Sequence, residues 1–230
     1  MKRVSLRART TVRAMVRRRF AVAVLVAMPI VFSLVTRDSV GQSVRSLVFG
    51  VSWAVSTVAF FAAVSARTID PRLFLAGWRR RELLAGRLVG LLAVVAALTA
   101  AFVALVGIDH DVRSLSAVAL DFAVTGVVAV AVGTTVGSVV GRELEGTLVL
   151  FFLAGLQAIV NPFDAWSRIL PFWSSRELGT WAIDGPEVGS LAAGLAHALV
   201  VVIACAIVGS LAVGQPWRRR PVPAAPEASP

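Results

Sequence analysis

The chain has 230 residues with a hydrophobic fraction of 57% and a mean hydropathy of +0.82, well above the roughly 45–50% apolar usage of water-soluble domains. Its net charge of +10 comes from 23 Lys and Arg against 13 Asp and Glu. These charges lie in short segments between apolar runs long enough to cross a bilayer, which takes about 20 residues. That pattern sets aside a soluble nucleic-acid binder and predicts an all-α, polytopic membrane protein. Cys205 is the single cysteine, so no intrachain disulfide can form, and neither histidine has neighbours at metal-ligand spacing.

Residues 1–19 carry Lys2 and seven arginines, with Val4, Ala8, Val12, Met15 and Val16 at the spacing of one helical face. A basic amphipathic helix of this kind lies in the headgroup plane with its arginines on anionic lipid. The competing reading is a plain basic tail. Six apolar runs follow, at about 20–36, 46–66, 88–107, 118–140, 146–160 and 190–213, and Pro29 predicts a kink in the first. Residues 214–230 are rich in Pro and Ala, have no apolar face, and predict a disordered tail.

With the N-terminus inside, the inner segments hold 18 of the 23 basic residues and the outer segments five. An asymmetry of that size predicts both termini and the 67–87 loop in the cytoplasm.

The stretch 67–87 reads RTIDPRLFLAGWRRRELLAGR. Asp70-Pro71 predicts a helix start, with a capping carboxylate and Pro at the first helical position. Leu73, Phe74, Leu75 and Trp78 then make an apolar knob, with Gly77 as a stop or bend. Arg72, Arg79, Arg80, Arg81 and Glu82 frame it. A capped apolar knob among arginines at a membrane face predicts a docking surface; the plainer reading is that its arginines only set topology.

The fourth run contains Gly133, Gly137 and Gly141 at four-residue spacing, which lets another helix approach closely. Three polar groups fall at membrane depth: Asp121, Gln157 and His197. Such groups are candidates for a translocation path because burying them in lipid is unfavourable; the alternatives are a headgroup position for Asp121 and one interhelical hydrogen bond for His197. The fifth run is short and ends at Asn161-Pro162. Beyond it Trp166, Pro171 and Trp173 fall in an aromatic outer segment that runs to residue 183. Indole rings favour the membrane interface, so this segment predicts short helices re-entering the bilayer, or a surface loop with aromatic anchors. No P-loop, G-x-S-x-G or H-E-x-x-H pattern occurs. The chain is therefore not expected to be an enzyme or to hold a cofactor or metal.

This layout resembles the membrane subunits of type 2 ATP-binding-cassette (ABC) exporters. The points of likeness are the basic N-terminal segment, six spans with both ends inside, the LFLAGWRRRELLAGRLVG loop between spans two and three, and the short 141–146 turn. The aromatic segment after Asn161-Pro162 completes them. The resemblance covers essentially the whole chain, as a pattern without a single diagnostic motif. It implies a permease in a bacterial plasma membrane that pairs with a second permease subunit and binds a cytoplasmic ABC ATPase. Residues Asp70 to Glu82 would be the coupling element, and the substrate a lipid or amphipathic drug. A non-transporting scaffold and a secondary transporter are the alternatives.

Overall fold

In a computed structural model the described residues are 2–17, 19–37, 40–109, 111–160 and 164–214, and they form helices and turns. The helices are α1 (Lys2–Arg17), α2 (Arg19–Val35), α3 (Val40–Leu75), α4 (Arg80–Asp109), α5 (Leu115–Val139), α6 (Glu143–Ile159), α7 (Trp173–Ile183) and α8 (Leu191–Gly214). A short 3-10 helix over Ala165–Ile169 precedes α7.

Four of these helices, α3, α4, α5 and α8, are long and apolar enough to cross a membrane. The first and fifth predicted spans are helical as well, but α2 and α6 have 17 residues each against the roughly 20 that a crossing takes. Only 11% of the most apolar stretch of α8 is buried inside the protein, and 28% of that of α4. Leu199, Val200, Ile207 and Leu211 of α8 and Phe151 and Phe152 of α6 all face outward. Water would not tolerate an apolar girdle of that extent, whereas acyl chains do. The chain is a membrane protein.

The bundle is built around α5, which touches α3, α4, α6, α7 and α8. Phe122, Val128 and Ala129 of α5 are fully enclosed, together with Ala59 and Phe60 of α3. Lipid tails are as apolar as leucine, so close packing rather than water exclusion holds such helices together. The glycine stripe of α5 supplies that packing. A Cβ at Gly133 would lie 2.0 Å from the Ser56 carbonyl oxygen, and one at Gly137 would lie 2.8 Å from that of Phe60. At the foot of the stripe Gly141 takes φ +66° and ends the helix, and the Arg67 guanidinium fills the space beside it.

The junction of α3 and α4 corrects the predicted helix start at Asp70-Pro71. Helix α3 runs without a break through both residues and stops at Leu75. Pro71 sits in its last turns, where its missing N–H removes one bond from a 36-residue helix. Of the stop or bend that the sequence allows at Gly77, the structure shows a stop, with φ +81°. Trp78 N–H donates to the Leu73 carbonyl and Gly77 N–H to the Phe74 carbonyl, at 3.1 and 3.0 Å. This is the paired closure that favours glycine at a helix end. Glu82 then caps the next helix, its carboxylate accepting from Arg79 N–H at 2.9 Å.

Candidate functional site

Two groups of side chains collect at opposite ends of α3. From Arg45 to Asp70 the helix rises about 37 Å, at about 1.5 Å per residue.

At the base, α1 lies across the start of α4. A Cβ at Gly86 would meet the Arg7 side chain at 2.5 Å, and one at Gly90 the Ala8 carbonyl at 3.0 Å. The inward face of α1 therefore includes Arg7 and Thr11 as well as the expected Val4 and Ala8. Arg7 donates to Asp70 Oδ1 at 2.8 Å. Arg87, deeply buried in α4, stands 3.8 Å from Asp70 Oδ2. Asp70 is thus the anion between two arginines, which explains why it is not free to cap a helix. Arg3 donates to the Gly77 carbonyl at 2.8 Å, lies 3.7 Å from Glu82, and covers the Trp78 ring at 5.8 Å.

These contacts divide the predicted docking residues. Leu73 and Trp78 are half-buried, while Phe74 is 46% and Leu75 87% exposed. Arg72, Arg79, Arg80 and Arg81 are exposed around them. The result is an apolar tip in a cationic frame, held from beneath by α1. A cavity of about 360 Å³ lies behind this tip, bounded by Phe74, Arg80 and Arg87 and reaching Ser138 of α5 and Ala212 of α8. Arg67 ties α3 to α5 by donating to the Ser138 carbonyl.

At the other end a cavity of about 310 Å³ brings Asp121 and Gln157 together with Arg45, Ser52, Ser175 and Arg176. Asp121 is buried on α5 and accepts from Thr125 Oγ1 at 3.1 Å. Ser175 of α7 is also within hydrogen-bonding reach. A Cβ at Gly179 of α7 would lie 3.1 Å from Asp121 Oδ2, so a glycine is what lets α7 seat against the carboxylate. Gln157 Oε1 is buried without a hydrogen-bond partner among the described residues. Arg45 ion-pairs with Asp184 at the end of α7.

His197 is not among the residues that line this cavity. Its Nε2 lies 2.9 Å from the Arg168 carbonyl and its ring packs edge-on against Trp173 at 5.1 Å. In this position it fastens the segment before α7 to α8. In the segment after α6 Trp166 is exposed, Pro171 lies in the turn before α7, and Trp173 opens that helix. Asn161 and Pro162 fall outside the described residues.

Sequence reasoning missed Arg7, Arg67 and Arg87 at the base, and Arg45 and Arg176 at the far cavity. Arg87 carried a usable signal, since it sits between Gly86 and Gly90 a turn or more inside an apolar helix. The others are spread over three helices, α1, α3 and α7, and gather only in three dimensions. Among the described residues no cluster of His, Cys, Asp or Glu could hold a metal ion. No family model, no curated protein and no solved structure matches this chain.

Proposed function

We propose that this chain is the membrane-spanning subunit of an ABC exporter, moving a lipid-like or amphipathic drug-like substrate outward on ATP hydrolysed by a separate subunit. The observation that carries the reading is the exposed Phe74–Leu75 tip among Arg72 and Arg79–Arg81. It terminates a helix that continues without a break to the far cavity. A force on the tip would travel along α3 as a rigid rod, which is what coupling a cytoplasmic motor to an outer site requires.

In this reading α2 and α6 complete six crossings, both termini and the arginine-framed tip face the cytoplasm of a bacterium, and residues 164–183 re-enter the outer leaflet. A second permease subunit covers part of the outward apolar surface. Asp121 and Gln157 contact substrate at the far cavity. The basic excess at the base supports this orientation.

The half-buried position of Trp78 beneath Arg3 makes Phe74 and Leu75 the better pair to test. The Phe74→Ala/Leu75→Ala double variant, co-expressed with the candidate ATPase, is expected to insert normally, to lose ATPase co-purification, and to lose export. Unchanged co-purification and export in that variant would overturn the coupling role.

A further inference from the structure

We propose that the base cavity binds the phosphate of an anionic glycerophospholipid, with Arg87 as its buried anchor. The inference rests on the membrane placement alone and not on the exporter reading.

Arg87 is 8% exposed and opens onto this cavity. Its guanidinium carries five N–H donors and no acceptor. Its nearest anion among the described residues, Asp70 Oδ2, is 3.8 Å away, beyond hydrogen-bonding distance. The other oxygen of that carboxylate is already engaged by Arg7 at 2.8 Å. Arg87 Nε has no partner among the described residues. Arg67 and Arg80 line the same cavity, so three arginines and one carboxylate bound it. A buried guanidinium short of acceptors is matched by a phosphate diester, which supplies two oxygens to its planar fork.

The walls specify lipid over free anion. Apart from these charges and Ser138 the lining is apolar, with Leu84 of α4 and Ala212 of α8 among it, and Leu84 is partly open to the surroundings. Inorganic phosphate would leave those walls wet, whereas an acyl chain covers them. The depth also agrees. Arg87 lies about 10 Å along α4 from Arg80, at about 1.5 Å per residue. A 30-residue helix extends several ångströms beyond each side of a hydrocarbon core of about 30 Å. That puts the guanidinium at the boundary between headgroups and chains.

The test is native mass spectrometry of the full-length chain taken from phosphatidylglycerol or phosphatidylcholine nanodiscs and progressively delipidated. The wild type is expected to keep one phosphatidylglycerol per chain and to release phosphatidylcholine. Arg87→Gln is expected to weaken retention by about thirtyfold or more, the effect of truncating one side of a buried charge pair. Ala212→Phe keeps every charge and fills the cavity, so it is expected to lose the lipid as well. Arg113→Gln, exposed in the loop before α5, is expected to behave as wild type. Circular dichroism on each variant separates lost lipid from lost fold, and should Arg87→Gln fail to fold, Ala212→Phe and the two-lipid comparison still decide. Equal retention of both lipids, wild-type retention by Arg87→Gln or Ala212→Phe, or displacement of the lipid by inorganic phosphate would each overturn the assignment.

Discussion

Asp70, near the end of the longest helix, accepts a hydrogen bond from Arg7 of the N-terminal helix at 2.8 Å. Sixty-three residues of chain separate the two partners, and the bond fixes α1 across the base of the bundle. The same carboxylate faces the buried Arg87, so one side chain orders three helices.

Asp70→Asn should therefore do more than remove a surface charge. It leaves Arg7 and Arg87 without their shared anion, and breaking a mostly buried pair from one side costs about 3 kcal/mol. The expected result is a lower melting temperature in detergent and faster hydrogen exchange over residues 2–17. The Arg7→Asp/Asp70→Arg swap should recover part of the α1 protection. Exchange in α1 unchanged by Asp70→Asn would show that the pair does not hold it.

The contact between α5 and α3 predicts a sharp contrast between two glycines. Gly133→Val places a side chain where the Ser56 carbonyl already lies 2.0 Å from an ideal Cβ. Backbone cannot yield as a flexible side chain does, so a destabilisation of about 3 kcal/mol is expected. Gly155→Ala on α6 meets nothing within 4 Å and should be neutral or slightly stabilising. Thermal unfolding followed by tryptophan fluorescence compares the two directly, and similar midpoints would contradict the packing.

Gln157→Leu separates folding from transport. Gln157 Oε1 has no hydrogen-bond partner among the described residues, so replacing the amide with an apolar side chain of similar size orphans nothing at that atom. Stability should hold or rise. If the far cavity contacts substrate, export should fall several-fold in the same variant. Export at the wild-type rate would remove Gln157 from the path.

Orientation is open to a labelling experiment built on two exposed positions. Leu75, 87% exposed at the base, and Val188, 67% exposed in the turn before α8, are placed singly as cysteines in a Cys205→Ala background. A membrane-impermeant maleimide added to intact cells should label Val188→Cys at once and Leu75→Cys only after permeabilisation. Labelling of both from the same side, or in the reverse order, would refute the cytoplasmic placement of the tip.

Much of the site was legible one residue at a time. Asp121 and Gln157 stood out because polar groups are scarce in apolar runs, and the structure brings both to one cavity. Gly133, Gly137 and Gly141 stood out by spacing, and all three meet α3. His197 stood out for the same reason as Asp121, yet its partners are the Arg168 carbonyl and Trp173. Scarcity singles out a polar residue without saying what it meets.

What the sequence determined by itself is the membrane class, the helical character of every apolar run, a stop or bend at Gly77 and the arginine-rich end. Each follows from local rules: hydrocarbon satisfies no backbone group, so apolar runs coil, and only glycine takes a left-handed turn without strain. The tertiary structure decided that Asp70 is a counter-ion rather than a cap, and that α3 runs through Pro71. It also decided that Arg67 and Arg87 line one cavity and that Arg7 reaches Asp70 from α1. A carboxylate can serve a free N–H beside it in the chain or a guanidinium brought from elsewhere. The charged partner forms the stronger bond, and its arrival depends on how α1 packs against Gly86 and Gly90, which no spacing within residues 67–87 records.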